Sequence, residues 1–137
     1  KINSNFVYDD NGIYGYRRRV DGADTVFPFS SYNNVLYKAT AYANTHSVSL
    51  TVPENIDKGI VIYEVSAYTS GAESGTIQKP DGIEYDVIFD KTLITPEGGT
   101  GTNQFSLEVI SCKNISNKTF TISGIRAHVG GKIVLLY

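Results

Sequence analysis

The sequence predicts an all-β domain: an antiparallel, jelly-roll-like β-sandwich of about nine strands with an N-terminal β-hairpin. Apolar and polar residues alternate with a period of two in most runs of the 137-residue chain, and 13 glycines separate those runs. No stretch carries the apolar spacing of three and four residues that helical crossovers between parallel strands need. Unequal loops favour strands that cross between two facing sheets over an up-and-down barrel.

The first element is the predicted hairpin, whose two strands flank Asn11-Gly12. Both residues tolerate positive φ, so the pair favours a tight primed turn. Residues 21–24 are expected to break the pairing. The segment that follows, residues 27–31, is predicted to be an extended connector because Pro28 offers no N–H to a strand ladder.

This connector divides the chain into residues 1–31, the hairpin and connector, and residues 32–137, the sandwich domain. Within the sandwich, residues 60–65 are apolar on both faces, as expected of a central strand. A short strand is expected at residues 76–78, and Gly130-Gly131 is expected to form a tight turn before the last strand. The alternating strands are expected to turn these residues toward the core: Val35, Tyr37, Ala39, Ala41 and Ala43; His46, Val48, Leu50 and Val52; Ile83, Tyr85, Val87 and Phe89; Phe105, Leu107 and Val109; and Phe120 and Ile122.

The overall charge and hydropathy argue against two classes of partner. A net charge of -2 gives the chain no general attraction for nucleic-acid phosphates or anionic lipid. No apolar run reaches the roughly 18 to 20 residues that a membrane-spanning helix requires. We therefore expect neither nucleic-acid binding nor membrane insertion.

The residues that catalysis would need are sparse. His46 and His128 are the only histidines, and His46 is expected in the core while His128 alternates outward. Glu84 and Asp86 share a strand face about 7 Å apart, which falls in the range of inverting glycosidases. That face is the solvent side, where acidic residues keep a strand soluble. We therefore expect no catalytic residues. The alternative is an enzyme in which Glu84 and Asp86 are the catalytic carboxylates.

No metal or cofactor site is expected. Cys112 is the only cysteine, and with two distant histidines it cannot supply a usual zinc ligand set. Its expected role is that of a small buried apolar residue. The carboxylates and amide of residues 9–11 would suit calcium, but the hairpin turn needs the same residues.

Tyrosine and arginine crowd the N-terminal hairpin. A two-stranded hairpin is not stable alone, so this one must pack on its own domain or on another subunit. Both alternatives stand, because Tyr and Arg are enriched in protein interfaces as well as useful within a core. The candidate subunit-interface residues are Tyr8, Tyr14, Tyr16, Arg17, Arg18 and Arg19.

The stretch GYRRRVDGADTVFPFS, residues 15–30, resembles a connector in tail-associated and other virion-surface proteins of phages and prophages from gut bacteria. Those proteins carry a similar Gly-Tyr, then Gly-Ala-Asp-Thr, then an aromatic residue or His before Pro-Phe. The resemblance implies a non-enzymatic module of a virion appendage, such as a tail-fibre, head-fibre, receptor-binding or decoration domain. It further implies a homotrimer on the virion surface, in contact with other virion proteins or a host surface glycan.

The alternative is a carbohydrate-binding module of a secreted bacterial protein, located outside the cell or on the bacterial surface. Sandwich folds host such sites, although fold alone does not assign them. Sugar rings stack on aromatic side chains, and because the chain has no Trp this role falls to Tyr. The candidate glycan contacts are Tyr42 and Tyr68.

Overall fold

The structure is a computed structural model that describes residues 5–40, 47–67, 75–94, 104–125 and 129–137. The described residues form eleven strands and no helix, and every strand pair is antiparallel. The strands are β1 (Phe6–Asp9), β2 (Gly12–Val20), β3 (Ala23–Tyr32), β4 (Val35–Thr40), β5 (Val48–Thr51), β6 (Lys58–Ala67), β7 (Thr76–Gln78), β8 (Glu84–Ile94), β9 (Phe105–Lys113), β10 (Thr119–Ser123) and β11 (Val129–Leu136).

Three sheets contain these strands. The central sheet has five strands in the order β4-β11-β6-β9-β8, the N-terminal sheet has the order β1-β2-β3, and the small sheet has the order β5-β10-β7. The all-β, antiparallel prediction is confirmed. The described residues form eleven strands in three sheets, where about nine strands in two facing sheets were expected.

The middle strand of the central sheet is β6, and it is buried on both faces. Successive side chains of a strand point to opposite faces, so Val61, Tyr63 and Val65 face one way while Ile60 and Ile62 face the other. All five are buried. The prediction of a central strand at residues 60–65 is confirmed.

The small sheet covers the face of the central sheet that carries Val61 and Tyr63. Its alternation places Val48 and Leu50 of β5 inward and leaves Ser49 exposed, as predicted. The buried residues of this layer are Val48, Leu50, Val52, Val61, Tyr63, Val65, Ile110, Cys112, Ile115, Phe120, Ile122, Ile125, Ile133 and Leu135.

The N-terminal sheet covers the opposite face, which carries Ile60 and Ile62. The buried residues of this second layer are Phe6, Ile13, Tyr16, Val20, Phe27, Ile60, Ile62, Ile94, Phe105, Leu107, Val109, Val134 and Leu136. The described part of the domain is therefore a stack of three sheets with an apolar layer on each side of the central one.

The predicted hairpin is present as β1 and β2, but its turn differs from the prediction. Asn11 lacks the positive φ that a primed turn requires. Its N–H instead donates a hydrogen bond to Oδ1 of Asp9 at 2.7 Å, as in an Asx turn. A primed turn occurs later, at Asp21-Gly22, where φ is 53° and 81°.

The connector predicted at residues 27–31 is wrong, because these residues belong to β3. The Asp21-Gly22 turn reverses the chain, and β3 pairs with β2 from Ala23 onward. Pro28 is tolerated because β3 is the last strand of its sheet and the β2–β3 register shifts between Ile13 and Gly15, opposite this segment.

Two further predictions are corrected. Gly130 and Gly131 do not form a turn; they lie in β11, opposite Ser66 and Val65 of β6. A Cβ on Gly131 would come within 2.9 Å of Ile125 Cδ1, so close packing accounts for that glycine. In β4, an edge strand, Tyr37 is 60% exposed instead of facing the core. Its neighbour Leu36 packs against the core, while Ala41 and Ala43 lie outside the described residues.

Candidate interaction surface

The structure divides the predicted interface residues of the hairpin between two environments. Tyr16 is completely buried, and Arg18 is 27% exposed. The other four are more accessible: Tyr14 is half-buried, and Tyr8, Arg17 and Arg19 are exposed. Alternation along β2 produces this division, because Tyr16 and Arg18 point toward the central sheet and Arg17 and Arg19 point away.

The inward residues meet a buried carboxylate of the central sheet. Glu64 of β6 is 8% exposed, and its Oε1 accepts a hydrogen bond from the Tyr16 hydroxyl. Its Oε2 lies 3.5 Å from Nη2 of Arg18, whose guanidinium lies 4.1 Å from the centroid of the Phe105 ring. We call Tyr16, Arg18, Glu64 and Phe105 the Glu64 network.

The Glu64 network fixes the N-terminal sheet to the central sheet. Burial raises the pKa of the Tyr16 hydroxyl well above its usual value, and the adjacent Glu64 carboxylate raises it further. Tyr16 is therefore a neutral donor at physiological pH. Charge pairing compensates the burial of Glu64, as buried carboxylates require. Tyr16 and Arg18 pack within their own domain.

The exposed residues of the hairpin remain available for contact with another molecule. Arg17 Nε lies 3.8 Å from Oδ2 of Asp24, and both side chains are more than half exposed, so solvent screens this pair. Tyr8 is 42% exposed at the end of β1. The subunit-interface prediction therefore stays open for Tyr8, Tyr14, Arg17 and Arg19.

Four of the other predicted residues lie in segments that the structure does not describe, and Cys112 is buried as predicted. Tyr42, Tyr68, His46 and His128 lie outside the described residues. Cys112 is buried, and burial raises the pKa of its thiol to about 12. Among the described residues, no group of three or more His, Cys, Asp and Glu side chains could hold a metal ion, and no helix is long and apolar enough to cross a membrane.

The carboxylates Glu84 and Asp86 are exposed at the outer edge of the central sheet. They line a shallow depression of about 150 Å³ together with Ser111 and Lys113 of β9. Asn114 donates a hydrogen bond from Nδ2 to Glu84 Oε1 at 3.0 Å. This surface has the exposed acidic character that the sequence predicts for that strand face.

An apolar surface on the same strand was missed by sequence analysis. Tyr85, Val87 and Ile88 of β8 are 47%, 50% and 40% exposed, and we call these three residues the β8 surface. The small sheet ends at β7, so its three strands do not extend over β8 among the described residues. The prediction that Tyr85 and Val87 face the core is wrong for this reason.

A β-bulge at Ile88 splits the predicted face further. Val87 lies opposite Ile110 of β9, whereas Phe89 lies opposite Val109, so Ile88 is the extra residue. The shift moves Phe89 to the opposite face of the sheet, where its ring centroid lies 4.5 Å from that of Phe27. Phe89 thereby joins the layer under the N-terminal sheet.

Buried charge borders the β8 surface. Nζ of Lys79 lies 2.8 Å from Oε2 of Glu108 and 5.1 Å from the centroid of the Tyr85 ring. Glu108 is 7% exposed, so this ion pair is largely removed from solvent.

Comparisons with protein-family models, with curated proteins and with solved structures give no match for this chain.

Proposed function

We propose that this chain is a non-enzymatic structural or binding module of a phage virion, such as a tail-fibre, head-fibre, receptor-binding or decoration domain. The observation that carries this proposal is the order of the described strands β4 to β11. The resemblance of residues 15–30 to a virion-surface connector points to the same class of protein.

The strand order supports a jelly roll for β4 to β11. In an eight-stranded jelly roll, the first, eighth, third and sixth strands form one sheet, which corresponds here to β4, β11, β6 and β9. The second, seventh and fourth strands lie together in the other sheet, which corresponds to β5, β10 and β7. The fifth strand, β8, departs from the pattern because it pairs with β9. Jelly rolls recur in viral capsid proteins and in lectins.

The placement of the N-terminal sheet also favours a module that contacts other molecules on several sides. The connector-like residues 15–30 pack onto the domain as parts of β2 and β3, held by the Glu64 network. The exposed Tyr8, Arg17 and Arg19 then face outward, toward other virion proteins or neighbouring copies in a homotrimer on the virion surface.

Labelling of virus particles tests this proposal. Phage particles are induced from the bacterium that carries the gene and are incubated with gold-labelled antibody raised against the purified domain. We expect gold at one fixed position on the tail or capsid, and none with antibody depleted on the purified domain. Antigen found only in the particle-free culture supernatant would contradict a virion module.

A second candidate function is carbohydrate binding by a secreted bacterial protein. It is favoured by Tyr37, which is 60% exposed on the edge strand β4 and offers an aromatic face to a sugar ring. A glycan array should then identify a defined oligosaccharide whose binding is lost on Tyr37→Ala, Tyr42→Ala or Tyr68→Ala. Tyr8→Ala, which changes an exposed tyrosine on the N-terminal sheet, is the matched control. Equal binding by all four variants would reject this function.

A further inference from the structure

The outer edge of β8 has the features of a strand that pairs with another chain. It is an eleven-residue strand at the end of the central sheet, and none of the described residues pairs with its outer side. Such an edge presents a row of backbone N–H and C=O groups, and apolar side chains on it favour association. Here Tyr85, Val87 and Ile88 are exposed along that edge.

The charges along β8 identify a second copy of the same strand as the partner. We propose that β8 pairs antiparallel with β8 of a second copy across a twofold axis, in the register that sets Asp86 opposite Lys91. With Ile88 as the extra residue of each strand, Phe89 then lies opposite its own copy at the centre. The twofold axis repeats each pair, so the register contains two Asp86–Lys91 pairs, with the paired Phe89 residues between them.

The bulge makes this register possible. Directly opposed residues of paired strands must point to the same face of the sheet. In a regular strand, Asp86 and Lys91 would point to opposite faces because they are five residues apart. Here Asp86 lies opposite Ser111 and Lys91 opposite Leu107, two β9 residues of the same face, so the extra residue Ile88 brings both charges to one face.

Three competing registers are less favourable, because each sets like charges against each other. Centring the pairing on Asp86 or Asp90 sets that carboxylate against its own copy, and centring it on Lys91 does the same for an ammonium group. Like charges directly opposite each other destabilise strand pairing. Lys91 also contacts Asp21 of its own chain, but both side chains are roughly half exposed and leave Lys91 accessible.

The contact goes beyond the proposed function and is separate from a threefold assembly. A twofold contact alone gives a dimer, and together with a threefold contact it gives a hexamer. In either case the particle contains an even number of copies, and loss of the β8 contact halves its mass. A virion module that forms only a trimer would leave the proposed function standing and overturn this inference.

Sedimentation-equilibrium centrifugation of the full chain tests the contact with a charge exchange. Asp86→Lys and Lys91→Asp each set like charges opposite each other twice, and each is expected to weaken the twofold association by about tenfold or more. The double variant restores the pairs in reversed order and should restore the mass. Glu84→Lys, which makes the same charge change outside the Asp86–Lys91 pair, is the matched control and should keep the wild-type mass.

Three results would overturn the contact. One is an odd number of copies in the wild-type particle, including a monomer at high concentration. Another is a double variant that stays dissociated while its circular dichroism shows a folded domain. The third is an equal loss of mass with Glu84→Lys, because that would indicate a general effect of charge instead of a specific register.

Discussion

A chain that consists of residues 32–137 alone will fail to give a stable, soluble domain. The N-terminal sheet supplies Phe6, Ile13, Tyr16, Val20 and Phe27 to the apolar layer on the central sheet. Full burial of a large apolar side chain contributes about 1.5–3 kcal/mol. The loss of five therefore approaches the entire stability of a typical domain, about 5–15 kcal/mol, before the newly exposed central sheet is counted.

Circular dichroism, dye binding and urea unfolding of the truncated chain measure this effect. We expect aggregation, or a soluble form that binds a hydrophobic dye and lacks a cooperative transition. A matched control is the truncated chain mixed with a peptide of residues 1–31, which should recover part of the fold. A truncated chain that unfolds cooperatively with near-native stability would contradict a third layer that belongs to the core.

The substitution Glu64→Leu should lower the free energy of unfolding by about 3–5 kcal/mol, the usual effect of removing one partner of a buried ion pair. The Tyr16 hydroxyl loses its acceptor, and Arg18 keeps a charge that is only partly accessible to water. Urea unfolding monitored by circular dichroism gives the change directly.

Two control variants separate loss of the pair from other effects of the substitution. Glu54→Leu removes an exposed carboxylate and should change the stability by no more than about 0.5 kcal/mol. The triple variant Tyr16→Phe, Arg18→Met and Glu64→Leu removes every polar group together and should recover much of the loss, since apolar replacement of a buried network is often near neutral. A Glu64→Leu protein as stable as Glu54→Leu would contradict a structural role for the network.

The parts of the fold that the sequence predicted are those that alternation determines locally. Val48 and Leu50 alternate with exposed residues on a covered strand, and residues 60–65 are apolar on both faces because β6 has a sheet on each side. The Asp21-Gly22 turn carried a usable signal as well: Asp-Gly favours a primed turn. With a turn predicted at Asp21-Gly22, the residues that follow it would have been predicted as a strand, β3, instead of a connector.

The parts that were missed depend on contacts between distant residues. Glu64 lies in a strand where a carboxylate suggests a solvent-facing position, yet its partners Tyr16 and Arg18 are more than forty residues away in the chain. The β8 surface is exposed because a sheet three strands wide faces one five strands wide. A bulge such as that at Ile88 turns the side chains of the following residues to the opposite face of the sheet. The residue type at position 88 gives no sequence signal of a bulge.

Native-state hydrogen exchange tests most directly whether the three sheets form one cooperative unit. The Arg17 amide of β2 donates to the Asn5 carbonyl, and the amides of β6 lie at the centre of the central sheet. Amides that exchange only by global unfolding share one opening free energy. We predict that the Arg17 amide and those of β6 share it. An Arg17 amide that opens several kcal/mol more easily than β6 would mean that the N-terminal sheet detaches independently.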